Sequence, residues 1–206
     1  MDLHEALAQI SEIRQHVARS ETFRGYRAAP VAFSGVVACL AAAFQAVALP
    51  QPAEYVEAYL LLWVGAAMLS MAVTGATMFW YCRRSASSLT QTNMLLAVGQ
   101  FLPAVVAGAL VTLVVYRKAP DALGMLPGLW AVFFSLGIFA SWRLLPRATF
   151  GVGVYYLAAG VANLWWAAET SALSPWTMIL SFGVGQFLAA GILYWTLERS
   201  HVEPCE

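Results

Sequence analysis

The sequence predicts an all-α integral membrane protein with six transmembrane helices and a short amphipathic lead on the cytoplasmic side. Three observations carry that expectation. Hydrophobic residues fill 61% of the 206 positions and charged residues only 11%, against roughly 45–50% and about 25% in a soluble domain. The apolar residues gather in six runs, each near the roughly 20 residues that an α-helix needs to cross hydrocarbon, and none alternates with the period of two that a barrel wall requires. Every charged side chain lies at or beyond the end of a run.

The first element is the lead, residues 1–29. Leu3, Ala6, Leu7, Ile10, Ile13 and Val17 recur at three- and four-residue intervals and so share one helix face, while Glu5, Glu12, Arg14 and Arg19 lie largely elsewhere. Arg19, Arg24 and Arg27 sit beside that face, where they suit anionic lipid headgroups. The stripe Leu3, Leu7, Ile10, Ile13 and Val17, with those arginines, is therefore the expected contact surface for membrane lipids or a protein partner. A chain that begins "MDLHEALAQISEIRQ" has no basic stretch followed by an apolar core, so a cleaved signal peptide is not expected.

The six runs cover 30–49, 58–81, 93–116, 123–142, 148–167 and 176–197. In lipid each must close its own backbone hydrogen bonds, which makes it a helix. The connections "LPQPAEYVE", "CRRSASSLTQT", "RKAPDA", "RLLPR" and "ETSALSPW" are too short to hold another domain, so residues 30–197 form one membrane domain, followed by a short tail at 198–206. With both termini in the cytoplasm, nine of the eleven basic residues fall inside and only Arg117 and Lys118 outside, as the positive-inside rule asks. Trp165, Trp166 and Trp176 then fall at the outer interface, and Trp80, Trp142 and Trp195 at the inner one.

Within the runs, "VGQFL" occurs twice, at positions 98–102 in the third and 184–188 in the sixth. Spans three apart run in opposite directions. The pair therefore reads either as chance recurrence in a chain written in few apolar letters or as a three-plus-three inverted repeat, and the second reading is favoured. Gln100 and Gln186 are the most informative polar residues, because an amide in hydrocarbon needs a partner. They are the candidate ligand-binding residues of a site between the two halves; the competing role, a hydrogen bond to a neighbouring helix, is the commoner one. Gln45 and Asn163, near the outer ends of their spans, carry less weight. Small residues at four-residue spacing, such as Ser34, Ala38, Ala42 and Ala46, or Ala158 and Ala162, mark expected packing faces. Pro103 should bend the third span near Gly99.

Several functions are disfavoured. Net charge is zero, which leaves no broad basic surface for nucleic acid. Cys39, Cys82 and Cys205 have no metal-binding spacing, and His4, His16 and His201 lie outside the runs, so no metal or cofactor is expected. The spans hold no His or carboxylate, which argues against catalysis at membrane depth and against ion coupling. An enzyme would need a rim site built from such residues as His16, Glu12 or Arg84. The expected role is a non-enzymatic accessory, assembly or sensing subunit acting through partner or lipid contacts, able to form a homo-oligomer. The alternative is a facilitator or binder of a neutral or lipid-like small molecule at the interface of the halves.

The stretches "RSETFRGYRAAPVAFSGVVA" and "LPGLWAVFFSLGIFASWRLLPR" resemble a group of bacterial six-span membrane proteins of no known activity. The resemblance implies the bacterial cytoplasmic membrane and no site residues.

Overall fold

The computed structural model describes residues 28–84, 88–167 and 172–198, all of the regular structure in them being helical. Helix α1 spans Ala28–Ala48, α2 Val56–Arg84 and α3 Ser88–Lys118. After a 3-10 segment at Pro120–Met125 come α4, Leu126–Ser141, and α5, Thr149–Trp165. The last helical path, α6, covers 175–198 and changes pitch on the way: an α turn at Pro175–Met178, a π segment at Ile179–Gly183, α-helix at Val184–Leu193 and a second π segment at Tyr194–Glu198.

Helix ends follow local chemistry. Ser174 caps α6 by accepting from the Trp176 N–H at 3.4 Å, with Pro175 in the first turn where its missing donor costs nothing. Pro127 does the same in α4. Arg83 and Arg84 close α2, and Arg117 and Lys118 close α3, complementing the negative end of each helix dipole.

Among the described residues, five helical stretches are long and apolar enough to cross a membrane: Ala28–Ala48, Val56–Tyr81, Leu95–Lys118, Pro120–Ser141 and Pro175–Thr196. The chain is a multi-pass membrane protein. Of the six expected spans the fifth differs, because α5 has 17 residues and a length of about 26 Å. The expected lead helix, with Leu3, Leu7, Ile10, Ile13, Val17, Arg19, Arg24 and Arg27, lies outside the described residues, as does the tail from 199.

Side by side, the helices follow the order α2, α1, α6, α5, α4, α3. Lipid tails are as apolar as leucine, so burial alone does not drive these contacts; close fit does. The closest fit is between α4 and α5. A methyl group placed on Gly128 would lie 2.8 Å from the Gly160 carbonyl oxygen, and one on Gly160 would lie 2.9 Å from that of Gly128. The two backbones touch.

Elsewhere an aromatic ring fills the hole that a glycine leaves. Phe101 of α3 covers Gly137 of α4, Tyr156 of α5 covers Gly185 of α6, and Phe187 of α6 covers Gly35 of α1. The two "VGQFL" copies thus use their phenylalanines alike, each as a knob against a glycine of a neighbouring helix. At the centre Phe101, Phe134, Tyr156 and Phe182 bring α3, α4, α5 and α6 together, with ring centroids 4.7–5.9 Å apart.

The buried face of α1 is Val31, Ser34, Gly35, Ala38, Ala41, Ala42 and Gln45, while Ala46 is exposed. A four-residue step overshoots the 3.6-residue turn, so the stripe drifts from Ala42 to Gln45 instead of Ala46. In α5 the packing face is Val152, Gly153, Tyr156 and Gly160, and Ala158 is exposed.

Replacing Gly128 or Gly160 by Val should destabilise the bundle by about 1–3 kcal/mol, the cost of overpacking against a backbone that cannot yield. Gly65→Ala on α2, where a Cβ meets nothing within 4 Å, should change stability by less than about 1 kcal/mol. Thermal unfolding of the three variants in one detergent, followed by tryptophan fluorescence, gives the comparison.

Candidate functional site

Polar side chains inside the bundle collect where α1 ends and α2 begins. Gln45, one turn from the end of α1, is fully buried. Its Oε1 accepts from the Trp63 indole N–H at 2.8 Å, and its Nε2 donates to the Leu173 carbonyl at 2.7 Å. One amide therefore ties α1 to α2 and to the segment leading into α6. Tyr59, a turn before Trp63, stacks on Trp130 of α4 with centroids 6.5 Å apart and an 8° interplanar angle. The Trp130 indole N–H donates to Thr112 Oγ1 of α3 at 2.8 Å, and the Thr112 hydroxyl donates in turn to the Gly108 carbonyl at 2.7 Å. Beside these, the Tyr116 hydroxyl donates to Glu57 at 2.7 Å and links α3 to α2.

A second chain of bonds joins α5 to α6. Asn163 Nδ2 donates to Ser181 Oγ at 2.7 Å, and Ser181 donates to the Thr177 carbonyl at 2.8 Å. The Tyr155 hydroxyl donates to the Leu180 carbonyl. Of the three acceptors, Leu180 and Ser181 fall in the π segment and Thr177 lies just before it. The buried Tyr59 hydroxyl and Ser135 Oγ have no hydrogen-bond partner among the described residues.

The cluster is amide, indole, phenol and hydroxyl. Such groups hold position and bind neutral hydrogen-bonding groups. Among the described residues no three His, Cys, Asp or Glu side chains gather as metal ligands would.

Gln100 and Gln186 are placed apart from it. Gln100 lies on an exposed part of α3, and Gln186 is half-buried on α6 with its Cβ directed at Gly35 of α1. The two amides share no hydrogen bond, and α3 and α6 are not side by side in the helix order. Among the described residues, Gln45 and Asn163, the amides that carried less weight in the sequence, are the two that bond across helices. The signal for Gln45 was present: it follows Ala38, Ala41 and Ala42 at the i, i+3, i+4, i+7 spacing of one helix face. Asn163 and Ser181 carried no comparable signal, because their pairing depends on the local pitch of α6.

Gln45→Leu should leave both the Trp63 indole and the Leu173 carbonyl buried without a partner, at about 1–3 kcal/mol. The expected readout is a lower melting temperature together with a shift of Trp63 emission, compared in a chain whose other tryptophans are replaced by Phe. Comparison with protein-family models, curated proteins and solved structures found no match to this chain.

Proposed function

We propose that this chain is a non-enzymatic accessory, assembly or sensing subunit of the bacterial cytoplasmic membrane. It works through contacts that its N-terminal amphipathic segment makes with lipid or with a protein partner. The observation that supports this most is the use made of the buried polar groups. The inward-facing amides and indoles bond to one another, to the Leu173 carbonyl and to the hydroxyls of Thr112 and Ser181, which is what a scaffold does with them. Charged side chains of the helices sit at the ends, with Glu57 opening α2 and Arg83, Arg84, Arg117 and Lys118 closing α2 and α3.

Six spans, with both termini in the cytoplasm, fit the same reading. An α5 of about 26 Å falls a few ångströms short of average hydrocarbon thickness, which local thinning accommodates. Trp80, Trp142, Trp165, Trp166, Trp176 and Trp195 are exposed near helix ends, as interfacial anchors would be. At the end of α2, Arg83 stacks on Phe79 at 4.6 Å and Arg84 on Trp80 at 3.9 Å, an arrangement that suits guanidinium groups anchored among headgroups. An inverted repeat finds support in the helix order. Exchanging α1, α2, α3 for α4, α5, α6 maps the neighbours α1 and α2 onto α4 and α5, and α1 and α6 onto α4 and α3.

The test is purification of the full chain and of a chain lacking residues 1–20 from their native membrane with a mild detergent. A partner held in fixed stoichiometry by the first and lost from the second, with equal melting temperatures for both, is the expected result. Recovery of both forms alone and with the same lipids would overturn the proposal.

A further inference from the structure

Helix α3 carries three features at one spot on its outer surface. Gln100 is exposed and has no hydrogen-bond partner among the described residues. Pro103 lies inside the helix and lacks the N–H that would close on the Gly99 carbonyl. Around Gly99 itself, a Cβ would meet nothing within 4 Å. A carboxamide and a carbonyl deprived of its usual donor thus stand side by side on an open surface. Both lie within the membrane-crossing stretch Leu95–Lys118, Gln100 about 8 Å past its start.

Hydrocarbon offers neither a donor nor an acceptor, so such groups are costly there unless another helix supplies partners. The α4-facing side of α3 is set by Phe101, Gly108 and Thr112. Leu96, Gly99, Pro103, Val106 and Leu110 recur at three- and four-residue spacing on the opposite side, and all are exposed.

We infer that this patch is the interface of a two-fold symmetric dimer of the chain, in which each Gln100 amide donates to the partner's Gly99 carbonyl. The patch is complementary to itself. It carries the donor on Gln100 and the acceptor on Gly99 one residue apart, so an isologous pairing satisfies both copies with one contact. Gly99 without a side chain lets the helix axes approach, and Leu96, Val106 and Leu110 pack around the bond. This surface is independent of the N-terminal segment, so deleting residues 1–20 leaves the dimer intact.

The test is reconstitution of the fluorescently labelled full chain in phosphatidylethanolamine–phosphatidylglycerol bilayers over a wide range of protein-to-lipid ratios. Single-molecule photobleaching steps then count the copies. Dimers are expected for the natural chain, and Gln100→Leu should weaken them at least about tenfold. Gly99→Leu should do the same by steric exclusion. The single chain has room for that side chain, so a folded but monomeric variant separates loss of the interface from loss of the fold. A natural chain that stays monomeric at every ratio would overturn the inference, as would folded Gln100→Leu and Gly99→Leu chains that dimerise like the natural one.

Discussion

Hydrocarbon gives a polar group nothing to bond with, and most of this structure follows from where the chain puts the few polar groups it cannot avoid. Gln45 is the clearest case. An amide with two donors and an acceptor is carried into the bundle on the face of α1 that must be buried, and it is tolerable there only because Trp63 and Leu173 meet both of its ends. That requirement fixes three elements at once: the rotation of α1, the height of α2 and the path of the chain into α6. The tryptophans divide on the same principle. Trp63 and Trp130 are inside with their N–H groups bonded, and the other six are exposed close to helix ends.

Where polar groups do not decide, backbone proximity does. The contact of Gly128 with Gly160 and the rings seated over Gly35, Gly137 and Gly185 place dispersion contacts at short range. This mode of assembly makes α4 and α5 the best-fitted pair and leaves α2 and α3, at the two ends of the helix order, with the most exposed apolar surface. Of the five described glycines at which a Cβ would meet nothing within 4 Å, Gly65, Gly75 and Gly99 belong to those two helices, with Gly151 on α5 and Gly191 on α6.

The membrane class was legible in the sequence because length and charge exclusion are properties of the chain itself, independent of partners. Five of the six expected spans correspond to helices of sufficient length and apolarity, with ends displaced by a few residues. Which residues would meet was less legible. Ala46 and Ala158 fitted a four-residue rule that real helical pitch does not keep, and Gln45 stood where Ala46 was expected. Asn163 and Ser181 meet through a π segment that no periodicity count anticipates. Conversely, Gln100 and Gln186 drew attention because they repeat, yet the residue of that motif whose use recurs in space is the phenylalanine beside them.

The bond between Gln45 and the Leu173 carbonyl spans 128 residues of sequence, and that separation is also an interval in time. At about 5–20 residues per second, the acceptor is made roughly 6–26 s after the amide that needs it. During that interval α1 and α2 are already in the membrane with only Trp63 to occupy one side of Gln45. A chain released before Leu173 would therefore display an amide without its second partner. That exposed group distinguishes an unfinished protein from a finished one.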